Sequence, residues 1–463
     1  MKDTKRRFMT FTFYDRTGIE KDLEKQAARG WLLEKCAATG WIYRRIEPAK
    51  IHFSVVYFPA ISMFDPEPSE KQKRFQEFCE HTGWELIASN IQMQIFCNRR
   101  EKPIPIETEP EIEVENIHKS VRKTLLPTMF MNLILAVIQL GLTYQRFAIN
   151  PLGELANLNG LVSTVFWILM IFSAGTQVAL YYHWLHRARA AAHSGDFLET
   201  RSTDKFQITM MVSTSLALIF MMSSLGGWRM TVLGIAMALS IVGIGFMMAK
   251  ATQRMKKKQV SAKINRLVTY AMAVVGSLLI CGAVIWLMVG VIMDDRDTRD
   301  RAEPYEYNNW TFYVYHDEIP LQIEDLIETE YEGYSKERIT DESSPLLHYM
   351  EARQRPRHDA LAEPELSYRI AEVKAPWLYD FVMGLLLDDF SHNYGFPEDD
   401  PDWEEHRKID PAPWHAEQAY QLILGGEAHE RYLLCFEKHI IEIDLEWTPT
   451  DTEKAVIAQK LLP

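Results

Sequence analysis

Cysteine is scarce in this chain of 463 residues, and its five cysteines form no C-x-x-C pair. They stand at Cys36, Cys79, Cys97, Cys281 and Cys435. Paired spacings mark zinc ribbons and small disulfide-rich domains, so the scattered arrangement excludes both classes. The first 30 residues are charged throughout, and we therefore expect no signal peptide.

Signatures of the common enzyme classes are missing as well. G-x-S-x-G, P-loop, G-x-G-x-x-G and kinase motifs do not occur in the sequence. We therefore predict that the protein is not an enzyme, and we assign it no catalytic residues, no cofactor-binding residues and no cofactor.

Asp, Glu, Lys and Arg are absent from five apolar stretches in the middle of the chain. Each stretch is long enough to cross a hydrocarbon core of about 30 Å as a helix. A buried soluble helix rarely stays uncharged on every face over such a length. The stretches are Leu125–Tyr144, Leu161–Trp184, Ile208–Leu225, Met230–Ala249 and Leu267–Met293. We predict a five-helix transmembrane bundle over residues 125–293, with a re-entrant hairpin of the third and fourth stretches as the alternative.

Basic residues alternate around these stretches. Segments 119–123, 185–207 and 250–266 are rich in Lys and Arg, whereas segments 145–160 and 226–229 hold one arginine each. Cytoplasmic loops carry the excess of Lys and Arg in membrane proteins. This predicts a multi-pass protein of the cell membrane with a cytoplasmic N-terminus and an extracytoplasmic C-terminus.

Net charge also differs between the thirds of the chain. It is +2 over residues 1–124, +9 over residues 125–293 and −24 over residues 294–463. A strongly acidic region repels nucleic acid. We predict the lipid bilayer as a partner and no nucleic acid, with another membrane or regulatory protein as a further partner.

Two related units make up residues 8–100. A helix at Gly18–Arg29 is followed by Gly30 and Trp31, and a helix at Ser69–His81 is followed by Gly83 and Trp84. Glycine ends a helix readily because it adopts positive φ, and a following Trp anchors the helix on a sheet. Strands are predicted at Thr39–Arg45, Ile51–Phe58 and Met93–Asn98. Residues 1–100 are thus predicted to form a cytoplasmic α+β repeat domain with both Trp side chains buried.

The motif of this region resembles a known family. Phe13-Tyr14-Asp15, Gly18–Glu24, Ala27–Glu34, Tyr57-Phe58-Pro59 and Gly83–Leu86 are similar to the domain of unknown function 2812. The resemblance implies an uncharacterised bacterial multi-pass membrane protein, mostly of Gram-positive lineages and often encoded beside PadR-type transcriptional regulators. It supplies no catalytic or binding residues.

The rest of the chain is predicted to comprise a linker and a second domain. Residues 101–124 are rich in Pro and Glu and are predicted as a linker. Residues 294–463 are predicted as an acidic, extracytoplasmic α+β domain. Its predicted elements are a strand at Trp310–His316, a polar loop with a short helix at 335–365, a helix at Pro376–Phe390, a β-hairpin at Arg431–Leu445 and a closing helix at Thr450–Leu462.

An acidic run in this domain raises the question of a metal site. Glu398–Glu405 holds six carboxylates in eight residues but lacks the ligand order and the glycine of an EF-hand. His406, His415 and His429 lack the paired spacing of a zinc site. We interpret the run as a solvated loop, with weak calcium binding as the alternative, and predict no metal site.

These features together predict a non-catalytic function. Two folded domains on opposite sides of a short uncharged bundle suit the passage of a signal. Ion-coupled transporters usually keep ionisable groups at membrane depth, and the apolar stretches have none of the strongly charged ones. We predict a non-catalytic sensor, regulatory or interaction protein of unknown function, with a transporter or channel accessory subunit as the alternative.

Overall fold

The chain divides into two compact units in the computed structural model. One unit comprises residues 1–140 and 165–284, and the other comprises residues 141–164 and 285–463. The structure describes residues 3–7, 12–37, 40–59, 62, 64–66, 68–90, 92–107, 109–199, 208–210, 212–214, 216, 227–293, 302–360, 362–391 and 403–462.

The first unit begins with a β–α–β–β motif that occurs twice. The first copy is β1 (Thr4–Arg7), α1 (Arg16–Ala28), β2 (Trp31–Ala37) and β3 (Gly40–Arg45), and the second is β4 (His52–Tyr57), α2 (Glu70–His81), β5 (Glu85–Asn90) and β6 (Met93–Asn98). Each copy forms an antiparallel three-stranded sheet, with strand orders β1-β3-β2 and β4-β6-β5. The strand register shifts between Leu33 and Lys35 in one copy and between Leu86 and Ala88 in the other, at equivalent places. The same order of elements therefore occurs twice between Thr4 and Asn98.

The two Gly-Trp pairs differ in burial. Gly30 and Gly83 both have positive φ, at 82° and 87°, as expected of glycines that follow a helix. Trp84 is buried, and its Nε1 donates to the carbonyl of Ile104 over 2.8 Å. Trp31 is only half-buried, with the charged groups of Lys5 and Arg45 over its ring. The prediction that both Trp side chains are buried is therefore wrong for Trp31, which packs against the core that contains Leu32 and Leu33 but stays partly exposed.

Long helices follow the repeat. They are α3 (Pro110–Ile149), the short α4 (Pro151–Ala156), α5 (Leu158–His193), α6 (Gly227–Lys257) and α7 (Ala262–Met293). Three segments in the described part of the chain are long and apolar enough to cross a membrane: α3, α5 and Ala262–Ala283 of α7. Their most apolar windows are only 17%, 11% and 11% buried, which is compatible with lipid contact.

The predicted five-helix bundle is therefore wrong, since three candidate spanning helices are found among the described residues. The third predicted stretch, Ile208–Leu225, lies largely outside those residues. The fourth lies in α6, which is not one of the three. An uncharged run reports only composition, so counting such runs does not by itself count membrane crossings. The first uncharged run is also much shorter than the helix that contains it. Helix α3 has 40 residues, about 60 Å, and includes residues 110–124 of the predicted linker.

The second unit contains a large antiparallel sheet. A two-stranded hairpin, β7 (Ala302–Tyr307) and β8 (Trp310–Tyr315), precedes it. The sheet has the order β12-β13-β14-β15-β11-β10-β9. Its strands are β9 (Ser335–Ser343), β10 (Leu347–Arg355), β11 (Leu366–Val373), β12 (Glu404–Ile409), β13 (Gln418–Leu424), β14 (Glu427–Cys435) and β15 (His439–Leu445). Two helices, α8 (Tyr379–Phe390) and α9 (Asp451–Leu461), pack against it.

The two faces of this sheet have separate cores. On one face, Val382, Leu386 and Phe390 of α8 pack with Leu152 and Leu155 of α4. On the other face, Ile457 and Leu461 of α9 pack with Trp414 and Tyr432. The short helix α4 between α3 and α5 is therefore part of the core of the C-terminal sheet.

Most predicted elements of this unit are confirmed. The strand at Trp310–His316, the helix at Pro376–Phe390, the hairpin at Arg431–Leu445 and the closing helix at Thr450–Leu462 correspond to β8, α8, β14–β15 and α9. The loop predicted at 335–365 is wrong, since β9 and β10 occupy most of it. Charged residues of β10 alternate with buried ones such as Ala352 and Gln354, so a strand with a charged outer face was mistaken for a loop.

Candidate functional site

The N-terminal repeat is joined to the long helices by a buried polar and aromatic cluster, here termed the junction. It consists of Tyr14, Arg16, Glu20, Glu107, Glu113, His118, Tyr181 and Trp184. All of these residues belong to the first unit. The apolar core is continuous around them, since Ile117 and Val121 of α3 and Leu185 of α5 cluster with Ile19 and Leu23 of α1.

Arg16 is the charged centre of the junction. It stands in the first turn of α1, where Asp15 caps the helix by accepting from the backbone N–H of Gly18 over 3.0 Å. Its Nε donates to Glu20 over 2.8 Å, and its guanidinium also pairs with Glu113 of α3. The side chain of Arg16 is 17% exposed and that of Glu113 only 10%. A nearly buried ion pair thus ties α1 to α3.

Two further carboxyl groups lie close to Arg16 and resist ionisation. Glu20 also accepts from the backbone N–H of Val55 over 2.8 Å. Burial raises the pKa of Glu20, against the opposing effect of Arg16. Burial likewise raises the pKa of Glu107, and Arg16 again opposes the rise. One cation therefore serves several carboxylates in a poorly hydrated place.

The raised pKa of Glu107 makes the stability of the junction pH-dependent. A carboxyl whose pKa is raised on folding binds protons more tightly in the folded state, so its ionisation destabilises the fold at neutral pH. That cost falls as the pH drops through the folded pKa towards the unfolded value near 4.5. We expect Glu107→Gln to be more stable than the wild type at pH 7.5, with the difference shrinking towards pH 5. Pulse proteolysis of the full-length protein at both pH values measures it, and a constant difference would contradict this interpretation.

Aromatic rings hold α5 at the same place. The ring of Tyr14 lies 4.8 Å from that of Trp184 and 5.4 Å from that of Tyr181. The Tyr181 hydroxyl, itself fully buried, is 2.6 Å from Nδ1 of His118 on α3. The last turns of α5 and the early turns of α3 are therefore both fixed to the start of α1.

The third candidate helix is attached through a different loop. Asn265 in the first turns of α7 is fully buried, and its Nδ2 donates to the carbonyl of Phe64 over 2.9 Å. The guanidinium of Arg266 lies 5.6 Å from the centre of the Phe64 ring, and the ring of Tyr270 lies 5.9 Å from it. The loop between β4 and α2 thus holds α7 as α1 holds α3 and α5.

The chemistry available at the junction is binding and proton uptake. Arg16 is engaged by carboxylates, and the Tyr181 hydroxyl, which lies beside His118, is fully buried. Burial raises the pKa of Cys36 to about 12 and that of Cys79 to about 11, so these thiols of the N-terminal repeat stay protonated and are poor nucleophiles. The arrangement suits mechanical coupling of a folded domain to three helices.

The histidines considered for a metal site are placed apart from one another. His406 contacts Ser391 over 2.8 Å and the ring of Tyr420, His415 ends a 3-10 helix with φ of 50°, and His429 lies on β14. Residues 398–402 of the acidic run lie outside the described residues. Among the residues that the structure describes, no three His, Cys, Asp or Glu side chains are grouped to hold a metal ion.

Sequence reasoning missed the junction. Arg16 and Glu20 have the i,i+4 spacing of a helical ion pair, but that spacing predicts an ordinary solvated pair. Glu113 lies 97 residues further on, in a segment that composition assigns to a linker. The available signal was the Tyr14-Asp15 pair within the family motif, which sequence reasoning treated only as a marker of resemblance.

Comparison with known proteins adds a family assignment. Residues 15–130 match the family model described as Protein of unknown function (DUF2812). No curated protein and no solved structure gives a significant match. The matched range runs from the cap of α1 to the first half of α3, so it includes Arg16, Glu107 and Glu113 but not Tyr181 or Trp184. Residues 15–130 are therefore similar to the DUF2812 family, and the resemblance predicted from the N-terminal motif is confirmed.

Proposed function

We propose that this protein is a non-catalytic membrane protein that passes conformational changes between a cytoplasmic DUF2812 domain and an extracytoplasmic acidic domain. The observation that carries the proposal is that the N-terminal domain holds an end of each of three apolar helices, α3 and α5 through the junction and α7 through the loop at Phe64. A domain that only occupied the membrane surface would not require a buried ion pair and a buried amide for its attachment.

The contacts within the first unit support the proposed orientation. Glu113 near the start of α3, Trp184 near the end of α5 and Asn265 near the start of α7 all contact the N-terminal domain. If the three helices cross the bilayer, the chain leaves this domain in α3, returns in α5 and leaves again in α7. Segment 194–261 then starts and ends on one side, so the number of crossings is odd whatever path that segment takes.

The distribution of basic residues supports one side of the membrane for the N-terminal domain. Lys119, Arg122 and Lys123 stand near the start of the apolar part of α3, and residues 250–266 carry seven basic groups before the apolar part of α7. The positive-inside rule favours the cytoplasm for these ends. The domain at residues 302–462 follows α7 and is then extracytoplasmic. The core of this domain includes Leu152 and Leu155 of α4, the short helix between the other ends of α3 and α5.

The coupling can be tested with no knowledge of the signal. Leu155 of α4 is buried against the C-terminal sheet. In Leu155→Asp, we expect faster hydrogen exchange at residues 12–20 and 110–124 of full-length protein in nanodiscs, because a disturbance at α4 is transmitted along α3 and α5. Ile339→Asp, an exposed position of the same unit, is the matched control and should change neither segment. Faster exchange confined to residues 141–164 and the C-terminal sheet would refute the coupling.

A further inference from the structure

The hairpin that follows α7 is unusually aromatic. Its two strands carry Tyr305, Tyr307, Trp310, Phe312, Tyr313 and Tyr315. A cavity of about 170 Å³ lies between this hairpin and the ends of β9 and β10, at Ser335 and Arg355. The function proposed above makes no use of this cavity, and everything that lines it belongs to the second unit.

Stacked rings form one wall of the cavity. The imidazole of His358 lies 4.0 Å from the ring of Phe312 at an interplanar angle of 27°. The hydroxyl of Tyr305 is 2.8 Å from Nδ1 of His358 and also accepts from its backbone N–H over 3.1 Å. The wall is thus fixed by both stacking and hydrogen bonds, so it is formed before any ligand binds.

Two arginines supply positive charge beside this wall. Arg355 is half-buried, and it forms no ion pair within the part of the chain that the structure describes. Arg357 lies 4.3 Å from the centre of the Tyr305 ring and pairs with Asp359 over 3.2 Å, while its buried Nε has no hydrogen-bond partner in the described residues. Half-buried guanidinium groups are normally paired. These two guanidinium groups lack full pairing although residues 294–463, which contain them, carry a net charge of −24.

We propose that this cavity binds the phosphate group of a phosphate ester. The forked guanidinium groups of Arg355 and Arg357 match phosphate oxygens, and a doubly contacted anion supplies the acceptors that they lack. The rings of Tyr305 and Phe312 cover the organic part of the ligand. The proposal does not rest on signal passage or on membrane orientation.

Two sources of the phosphate fit this site. The hairpin starts nine residues after Met293, the end of α7, so its first residue is at most about 30 Å from that helix end. A phospholipid headgroup is therefore within reach, and a soluble phosphate ester has the same chemistry.

The test is calorimetric titration of the full-length protein in maltoside detergent, which contains no phosphate. The probes are glycerol 3-phosphate and dihexanoyl phosphatidylglycerol. We expect saturable binding of at least one probe, weakened about tenfold or more in Arg355→Gln and in Arg357→Gln. Arg355→Lys, which keeps the charge but loses the fork, should fall between these variants and the wild type. Binding of the lipid alone assigns the headgroup, and binding of both probes shows that the phosphate ester is sufficient.

The matched control is Arg353→Gln. Arg353 precedes Arg355 by two residues on the same face of β10, pairs with Glu365 over 3.5 Å and does not line the cavity. We expect it to change the affinity by less than about twofold, as for a surface substitution. Failure of both probes to saturate, or equal weakening by Arg353→Gln, would overturn the proposal and leave the coupling proposal untouched.

Discussion

Replacement of Arg16 by alanine should destabilise the N-terminal domain by about 3–5 kcal/mol, the cost of removing one partner of a buried ion pair. The substitution leaves Glu113 without its cation in a place where its side chain is 10% exposed. It also removes the hydrogen bond that Glu20 accepts from Arg16 and the charge that favours the ionised form of Glu20. Pulse proteolysis of the full-length protein in detergent measures the change in unfolding free energy.

Lys21→Ala is the control for this prediction. Lys21 lies five residues after Arg16 on the same helix and pairs with Glu199 over 3.0 Å. Both side chains of this pair are well exposed, at 62% and 77%. An exposed pair contributes about 0–1 kcal/mol. If Arg16→Ala is as mild as Lys21→Ala, the junction does not hold the domain to its helices.

The second large effect is expected at Glu442 in the C-terminal sheet. Glu442 of β15 is 5% exposed and lies between two arginines, with Arg369 and Arg431 each 2.5 Å from its carboxylate. Arg369 also pairs with Asp389 over 2.6 Å, and the attraction of Glu442 raises the pKa of Arg369 despite its burial. Glu442→Ala removes the ion-pair partner of Arg431 and one of the two partners of Arg369, so we expect a loss of about 3–5 kcal/mol.

Glu437→Ala provides the comparison for Glu442→Ala. Glu437 is exposed in the turn between β14 and β15. Its replacement should change the free energy of unfolding by no more than about 0.5 kcal/mol. Thermal unfolding of the full-length variants, followed by near-ultraviolet circular dichroism, compares them. Equal melting temperatures for the two variants would show that the charge triad does not stabilise the sheet.

The repeat could be predicted from sequence because the residues that end its helices are adjacent to those helices in the chain. Gly30 and Gly83 each end a helix with positive φ, and a Trp follows each of them. Local signals do not report which neighbour fills the core. Burial of Trp31 is predicted by analogy with Trp84, but Trp31 only packs against the core that contains Leu32 and Leu33, and Lys5 and Arg45 lie over its ring.

Elements whose partners are distant could not be predicted in the same way. The charged strands β9 and β10 are stabilised by pairing with each other and with β11, and their composition alone indicates a loop. The junction depends on Arg16 meeting Glu113, and the α7 contact depends on Asn265 meeting Phe64 across 201 residues. Apolar composition alone predicts five crossings, whereas three candidate spanning helices are found among the described residues. Composition does not show which helix ends contact the same domain.

We propose, as the centre of this account, that the N-terminal repeat and the C-terminal sheet lie on opposite sides of the membrane. The direct measurement is cysteine accessibility in intact cells, using a cysteine-free background and a membrane-impermeant maleimide. Glu34 and Glu427 are exposed positions on the N-terminal repeat and on the C-terminal sheet, respectively. We expect Glu427→Cys to be labelled in intact cells and Glu34→Cys to be labelled only after permeabilisation. Labelling of both from the same side, or of Glu34→Cys alone in intact cells, would contradict the account.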